Sequence, residues 1–420
     1  MNMLILSLIT FFTFVSDATK RFYYFYDSKD KSYFDQFNTK EYFNFGKLRG
    51  VIIDESEYYN NPELLKYKYI EETKIKVIDV IYSKTQNIEK NYWGLDRINQ
   101  KDMFLDNDYH NQYTGENVEV YIIDSGIETT HDSLKHNSVM LNDFTTDNDL
   151  IDYNGHGTHV AGIIGGLNYG VANKVKMFGI KVFDSSGSGN TLDIIRAMYV
   201  VFKKCLNKNK KCVINMSLGG PYQQIYNDII NDLMLNNIIV VVAAGNSNQD
   251  ACNYTPAAAY LAVTVGSTNR YDERSYFSNW GNCVNIYAPG SDIISSYIGN
   301  SERILSGTSM ASPIVTGVIA HIWSKNDNYN SFEVVDHLYE NSPKLNITYK
   351  VKKNLYVDGK INGTFYLDVT KEEKFLYIED EYLNIFELFY KILLNINYKN
   401  LLFFYYTIQL IIDILKLIFN

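Results

Sequence analysis

Between residues 86 and 357, short β-branched apolar runs alternate with stretches of helical period, and no other feature of the chain restricts its fold as much. Val118–Ile123, Met177–Val182, Val213–Met216, Ile238–Ala243 and Ala262–Gly266 read as strands. His156–Gly165, Thr191–Lys204, Asp228–Leu235 and Thr308–Ser324 read as helices. Strand then helix, repeated, makes βα units, so an α/β fold is expected, with a mostly parallel sheet and helices on both faces. At 420 residues and 46% hydrophobic, the chain can bury a sizeable core in more than one unit.

In such sheets, sites lie beyond the carboxyl ends of the strands. Three polar residues directly follow apolar strands: Asp124, Ser217 and Asn246. A buried carboxylate at Asp124 needs a partner, because an unpaired buried charge is costly. Histidines follow in Asn154-Gly-His-Gly-Thr-His159, where His156 sits between two glycines at a helix start. His156 and His159 are i, i+3 neighbours, so a zinc pair competes with a catalytic role, but no third ligand falls at a recognisable spacing. His159 is expected to orient its neighbours from the helix. In Leu305-Ser-Gly-Thr-Ser-Met-Ala-Ser-Pro-Ile314 a small turn enters an apolar helix and puts Ser309 at or near its N-terminus. Free N–H groups and the helix dipole favour developing negative charge there. Pro313 is expected in the first turn, where a missing N–H is harmless. Each residue alone also fits a plain capping role.

Taken together, Tyr121-Ile-Ile-Asp-Ser-Gly126, Gly155-His-Gly-Thr-His-Val-Ala-Gly162, Val213-Ile-Asn-Met-Ser-Leu-Gly-Gly220, Ala243-Ala-Gly-Asn246 and Gly307-Thr-Ser-Met-Ala-Ser-Pro313 resemble the subtilisin-like serine proteases, in their proteinase K-like branch. The motifs stand in that family's order, Asp then His then Ser. The resemblance implies a catalytic set of Asp124, His156 and Ser309, with Asn246 and the Ser309 N–H binding the oxyanion. It implies substrate contacts at Gly187, Ser188 and Gly189, and a pocket walled by Ser217, Leu218, Gly219, Gly220, Ala243, Ala244 and Gly245. No acidic residue falls in those segments, so an uncharged residue before the scissile bond is expected. Trp93-Gly-Leu-Asp-Arg-Ile98 looks like the branch's mature N-terminus. No cofactor is expected for catalysis. The aspartate with which relatives hold calcium matches Asn285 here, and a neutral amide is a weaker ligand, which puts structural calcium in doubt. The alternative is a catalytically silent binding or coat protein on a protease fold, against which the intact set of residues argues.

Outside this region, residues 1–18 read as a secretory signal, with an apolar run Leu4–Val15 and small residues at 16–18. Residues 19–85 read as a small α+β unit resembling the family's inhibitory propeptide, in which Tyr69–Val77 alternates as one half-exposed strand. Self-cleavage is expected near Lys84–Asn87. Four cysteines suit an oxidising compartment, and pairings 205–212 and 252–283 are expected from their flanking segments. A net charge of −9, with no basic patch interleaved with aromatics, argues against nucleic acid. The expected partners are protein or peptide substrates and the chain's own propeptide, with the enzyme a monomer. Residues 358–381 read as a charged connector. The apolar 401–419 stretch, within a hydrophobic tail from 382 to 420, is close to spanning length, and membrane association is expected. The 36 tyrosines and 23 phenylalanines have no physical account.

Overall fold

The structure is a computed structural model describing residues 20–373 apart from 38–40, 59–60, 78–80, 83–91, 100–104, 106–113, 207–209, 343–344 and 358–359. The signal-like segment and the hydrophobic tail lie outside the described residues. Among these, no helix is long and apolar enough to cross a membrane.

The first unit contains β1 (Lys20–Phe25), α1 (Asp30–Phe34), β2 (Glu41–Asn44), β3 (Arg49–Asp54), α2 (Glu55–Tyr58) and β4 (Lys68–Glu71). Its four strands form an antiparallel sheet ordered β2-β3-β1-β4. Successive strand residues point to opposite faces, so the aromatic run Phe22 to Phe25 splits in two. Tyr23 and Phe25 build the unit's own core with Phe34, Val51 and Leu64. Phe22 and Tyr24, with Phe43, Phe45 and Leu48, join the core of the larger unit instead.

The expected single strand over 69–77 is in fact two. β4 stays with the first sheet, whereas β5 (Lys74–Val77) pairs antiparallel with β10 (Ser188–Asn190) on one side and β12 (Leu218–Pro221) on the other. The break falls at Thr73. Its N–H bonds Thr191 Oγ1 at 2.8 Å and its carbonyl accepts the Thr191 N–H at 2.9 Å, turning the backbone away from the first sheet. A two-residue β6 (Ile81–Tyr82) follows, and α3 (Trp93–Ile98) is held by Arg97, which grips Asp272 through two nitrogens at 2.8 and 2.7 Å.

The larger unit is the expected α/β fold. Seven strands form one parallel sheet: β7 (Val118–Asp124), β8 (Ser138–Asp143), β9 (Lys176–Lys181), β11 (Lys211–Met216), β13 (Ile238–Ala243), β15 (Val263–Thr268) and β16 (Ile286–Pro289), ordered β16-β15-β13-β11-β7-β9-β8. α4 (His156–Gly165) and α7 (Thr308–Lys325) lie against it and each other, and α8 (Ser331–Asn341) lies on α7. α5 (Thr191–Cys205) and α6 (Gln224–Leu235) share a core with Tyr121, Ile214, Met216 and Val240. The first unit closes over these two helices. Arg196 of α5 forms a bidentate pair with Glu41 at 2.7 and 2.8 Å, and the buried Asp232 of α6 accepts the Leu48 N–H at 2.8 Å.

β14 (Tyr254–Thr255) extends the β10-β5-β12 edge sheet, and β17 (Ile293–Tyr297), β18 (Ser301–Ser306) and β6 form another. Cys205–Cys212 and Cys252–Cys283 are disulfides, as expected, with Cα separations of 6.4 and 5.3 Å. Within the expected connector, 358–381, the described residues 360–373 are strand: β20 (Lys360–Glu373) pairs antiparallel with β19 (Leu345–Val357).

Candidate active site

Asp124 is the last residue of β7 and fully buried. Its Oδ1 meets His156 Nδ1 at 2.8 Å and also accepts the Ser125 N–H at 2.7 Å. His156 opens α4, and the preceding turn depends on glycine. Gly155 has φ +91°, and a Cβ on Gly157 would lie 2.1 Å from the Gly126 carbonyl oxygen. This closeness brings the strand end and the helix start together. The second ring nitrogen of His156, Nε2, has no hydrogen-bond partner among the described residues. His159 turns elsewhere, its Nε2 sharing a hydrogen bond with the Arg303 carbonyl at 2.9 Å. Burial pulls its pKa down to about 3, so it stays neutral. The two histidines therefore serve different partners, and no group of three possible ligands that could hold a metal ion exists among the described residues.

Ser309 is the second residue of α7 and is buried. Its hydroxyl donates a long 3.4 Å bond to the Ser217 carbonyl. The first-turn reading of Pro313 is wrong: α7 begins at Thr308, as expected, and the proline is its sixth residue, in the second turn. There it removes the N–H that the Ser309 carbonyl, four residues back, should accept. The Ser217 hydroxyl donates to that carbonyl instead, at 3.0 Å. Asn215 supports Ser217 from below at 3.1 Å, and its own carbonyl oxygen accepts Ser312 and Thr316, each at 2.9 Å. The vacancy in the helix ladder thus becomes a cross-link between the Ser309 backbone and β11–β12.

Asn246 lies beyond β13. Its Oδ1 accepts both the N–H and the hydroxyl of Thr308, each at 2.9 Å. That fixes which end of the amide is which, and leaves the NH₂ as the donating end. Gly219, Gly220, Ala243, Ala244, Gly245 and Asn246 line a cavity of about 220 Å³, with Lys76 and Val77 of β5 at its edge. Its lining holds no carboxylate. Gly189 pairs with Ile75, Gly219 with Lys76, and the Gly187 carbonyl accepts the Val77 N–H at 2.8 Å. Gly187, Ser188, Gly189, Leu218 and Gly219, expected to contact substrate, therefore hold the chain's own strand, whereas Ser217 and Leu218, expected in the pocket wall, are fully buried and do not line this cavity.

Sequence reasoning missed two supporting groups. Asp152, buried, accepts Ser125 Oγ at 2.9 Å, the Gly155 N–H at 2.8 Å and the Thr158 N–H at 3.0 Å, tying the residue after Asp124 to the helix carrying His156. An acidic residue just ahead of a helix is a capping signal and was readable. Lys181 pairs in register with Asp124 and is fully buried. Its ammonium meets Asp147 at 2.9 Å and the Ile151 carbonyl at 2.9 Å. Burial alone would lower its pKa, but the carboxylates of Asp147, Asp143 and Asp149 outweigh it and hold the value above that of an ordinary lysine. No short-range pattern signalled it.

Asn285, the position in question for calcium, gives its side-chain oxygen to the Thr264 N–H at 2.8 Å. That oxygen is engaged in the fold.

The parallel α/β sheet thus presents Asp124 at a strand end and His156 and Ser309 at helix starts, with Asp124 and His156 hydrogen-bonded and the Ser309 hydroxyl turned to the Ser217 carbonyl. The chain belongs to the subtilase family, whose model matches residues 115–361. It is 42% identical to an alkaline serine exoprotease A of Vibrio alginolyticus over 282 residues, covering 65% of this chain and 52% of that protein. It is 42% identical to proteinase R of Parengyodontium album, covering 55% and 59%. A crystal structure of a cold-adapted subtilisin-like serine proteinase superposes with a TM-score of 0.55 at 42% identity, covering 58% of this chain and 89% of that one. The chain spans about half the length of the curated relatives it matches, at 52%, 59% and 50% of the first three.

Proposed function

We propose that the protein is a serine endopeptidase of the secretory pathway, made as a self-inhibited precursor. Ser309 Oγ attacks the scissile carbonyl while His156 Nε2 takes its proton. That proton passes to the departing amine as the C–N bond breaks, leaving an acyl ester on Ser309. Water attacks the ester, gives its proton to His156, and the acid leaves as Ser309 regains a hydrogen. Asp124 holds the imidazole with Nδ1–H towards itself and stabilises the imidazolium. The Asn246 NH₂ and the Ser309 N–H receive the oxyanion. The two disulfides suit an oxidising compartment.

The observation that carries this reading is β5, seated between β10 and β12 at the cavity edge. Strand addition of this kind draws affinity from main-chain bonds and so accepts many sequences. Selectivity then falls to the cavity, whose lining of glycine and alanine with no carboxylate favours an uncharged residue before the scissile bond. Profiling on a peptide library should show that preference; selection of Arg or Lys there would refute it.

The same strand supports self-cleavage close to its end; the Lys84–Asn87 stretch lies outside the described residues. β5 ends at Val77, and the chain next pairs at Ile81–Tyr82 with Leu305 and Ser306, on the strand leading into Ser309. The bond cut is expected among those joining Val77 to Ile81, ahead of the Lys84–Asn87 stretch expected from sequence. Mass spectrometry of the freshly matured protein should find a propeptide ending within this interval. A first cut at 84–87 by the enzyme itself would overturn the assignment. After the cut the first unit stays as inhibitor, held by Glu41–Arg196 and by Leu48–Asp232.

A further inference from the structure

Asn246 is useful only if its NH₂ stands where the oxyanion forms, and Thr308 secures the side chain and, through Oγ1, the Gly245 N–H at 3.1 Å. Past the Ala244 N–H, which bonds the Val265 carbonyl, the backbone leaves the sheet, and the Asn248 N–H is next held by the Phe277 carbonyl at 2.8 Å. One buried residue ties the stretch between these anchors together from both sides. Asn279, with no exposed surface, donates from Nδ2 to the Ala244 carbonyl at 2.8 Å. Its Oδ1 accepts the Ser247 N–H at 3.1 Å and the Gln249 N–H at 3.0 Å. Its backbone N–H bonds the Gly245 carbonyl at 2.8 Å. A single amide thus grips the chain before Asn246 and after it. The fit is close: a Cβ at Gly245 would lie 2.3 Å from Asn279 Nδ2, and Gly245 itself has φ +105°.

We infer that Asn279, which backs the cavity wall without being exposed, is the positioning residue of the oxyanion site and acts on the reaction through Asn246. The inference rests on the proposed peptidase function. The chemistry demands an amide in particular. The site asks for one donor, towards Ala244 O, and one acceptor, towards two N–H groups, on opposite ends of a planar group. A carboxylate fails at the donor end, where it would set two oxygens against each other. A protonated carboxyl restores both ends, its O–H facing Ala244 O and its carbonyl facing Ser247 and Gln249.

The test uses the matured enzyme and the variants Asn279→Ala, Asn279→Asp, Asn246→Ala and the Asn279→Ala/Asn246→Ala double, all assayed on one peptide substrate. Asn279→Ala should lower kcat by about 10- to 100-fold, the scale of a misplaced catalytic group, with KM nearly unchanged. Adding it to Asn246→Ala should cost nothing further, because the group it positions is already gone. Asn279→Asp should recover activity relative to the parent as pH falls and the carboxyl takes up its proton. Losses that multiply in the double variant, or an Asn279→Asp to parent ratio independent of pH, would show that Asn279 serves only the fold. If Asn279→Ala does not mature, the pH ratio of Asn279→Asp still decides. A parent enzyme that Ser309→Ala does not silence would sink the functional reading itself, whatever Asn279 does.

Discussion

Ser309→Ala is expected to remove peptide hydrolysis, with a loss of kcat of about 10⁶-fold, the benchmark being the nucleophile of subtilisin itself. The precursor carrying it should stay uncleaved, since the proposed nucleophile is gone. Folding should survive. The Ser309 hydroxyl makes one long contact, 3.4 Å to Ser217 O, and what binds α7 to β11–β12 is the Ser309 carbonyl, which alanine keeps. A thermal midpoint near the parent's, together with lost activity and lost self-cleavage, is the expected pattern. Retained hydrolysis would favour the silent-protein alternative with activity from a contaminant, or a different nucleophile.

Asn246→Ala should be the next largest effect, about 10²–10³-fold in kcat, again with subtilisin as the benchmark for losing one oxyanion donor. KM should move little, because the NH₂ meets charge that exists only in the transition state. The substitution also deprives the Thr308 N–H and hydroxyl of their shared acceptor. Asn246 is only partly buried, so water can replace it there. A rise in KM at constant kcat would mean that the amide holds ground-state substrate, and the oxyanion role would fall.

Much of the site was legible in the sequence because its members stand at strand ends and helix starts. Asp124 closes an unmistakable apolar strand, and His156 and Ser309 open helices announced by glycine turns. Local pattern fails where the constraint comes from across the fold. Tyr69–Val77 alternates like one strand, yet Thr73 is captured by Thr191, a residue 118 positions away, and the two halves join different sheets. Lys181 looks like any lysine ending a strand until a distant loop closes over it. Pro313 falls in the second turn of a helix already read as starting at Thr308, and what local pattern could not show is that Ser217, on another element, compensates its missing N–H. Asn279 sits in a segment with no helical or strand period, and its importance depends wholly on which backbone it faces. Beyond 357, the polar composition concealed the alternation that builds β20.

The measurement that bears most directly on the central claim is covalent trapping of the nucleophile. The matured enzyme is treated with a serine-directed phosphonylating reagent, digested, and the adduct located by mass spectrometry. The expected result is one stoichiometric adduct on Ser309, suppressed while the first unit still occupies the cleft with β5. An adduct on another serine, or full hydrolytic activity surviving complete modification of Ser309, would contradict it.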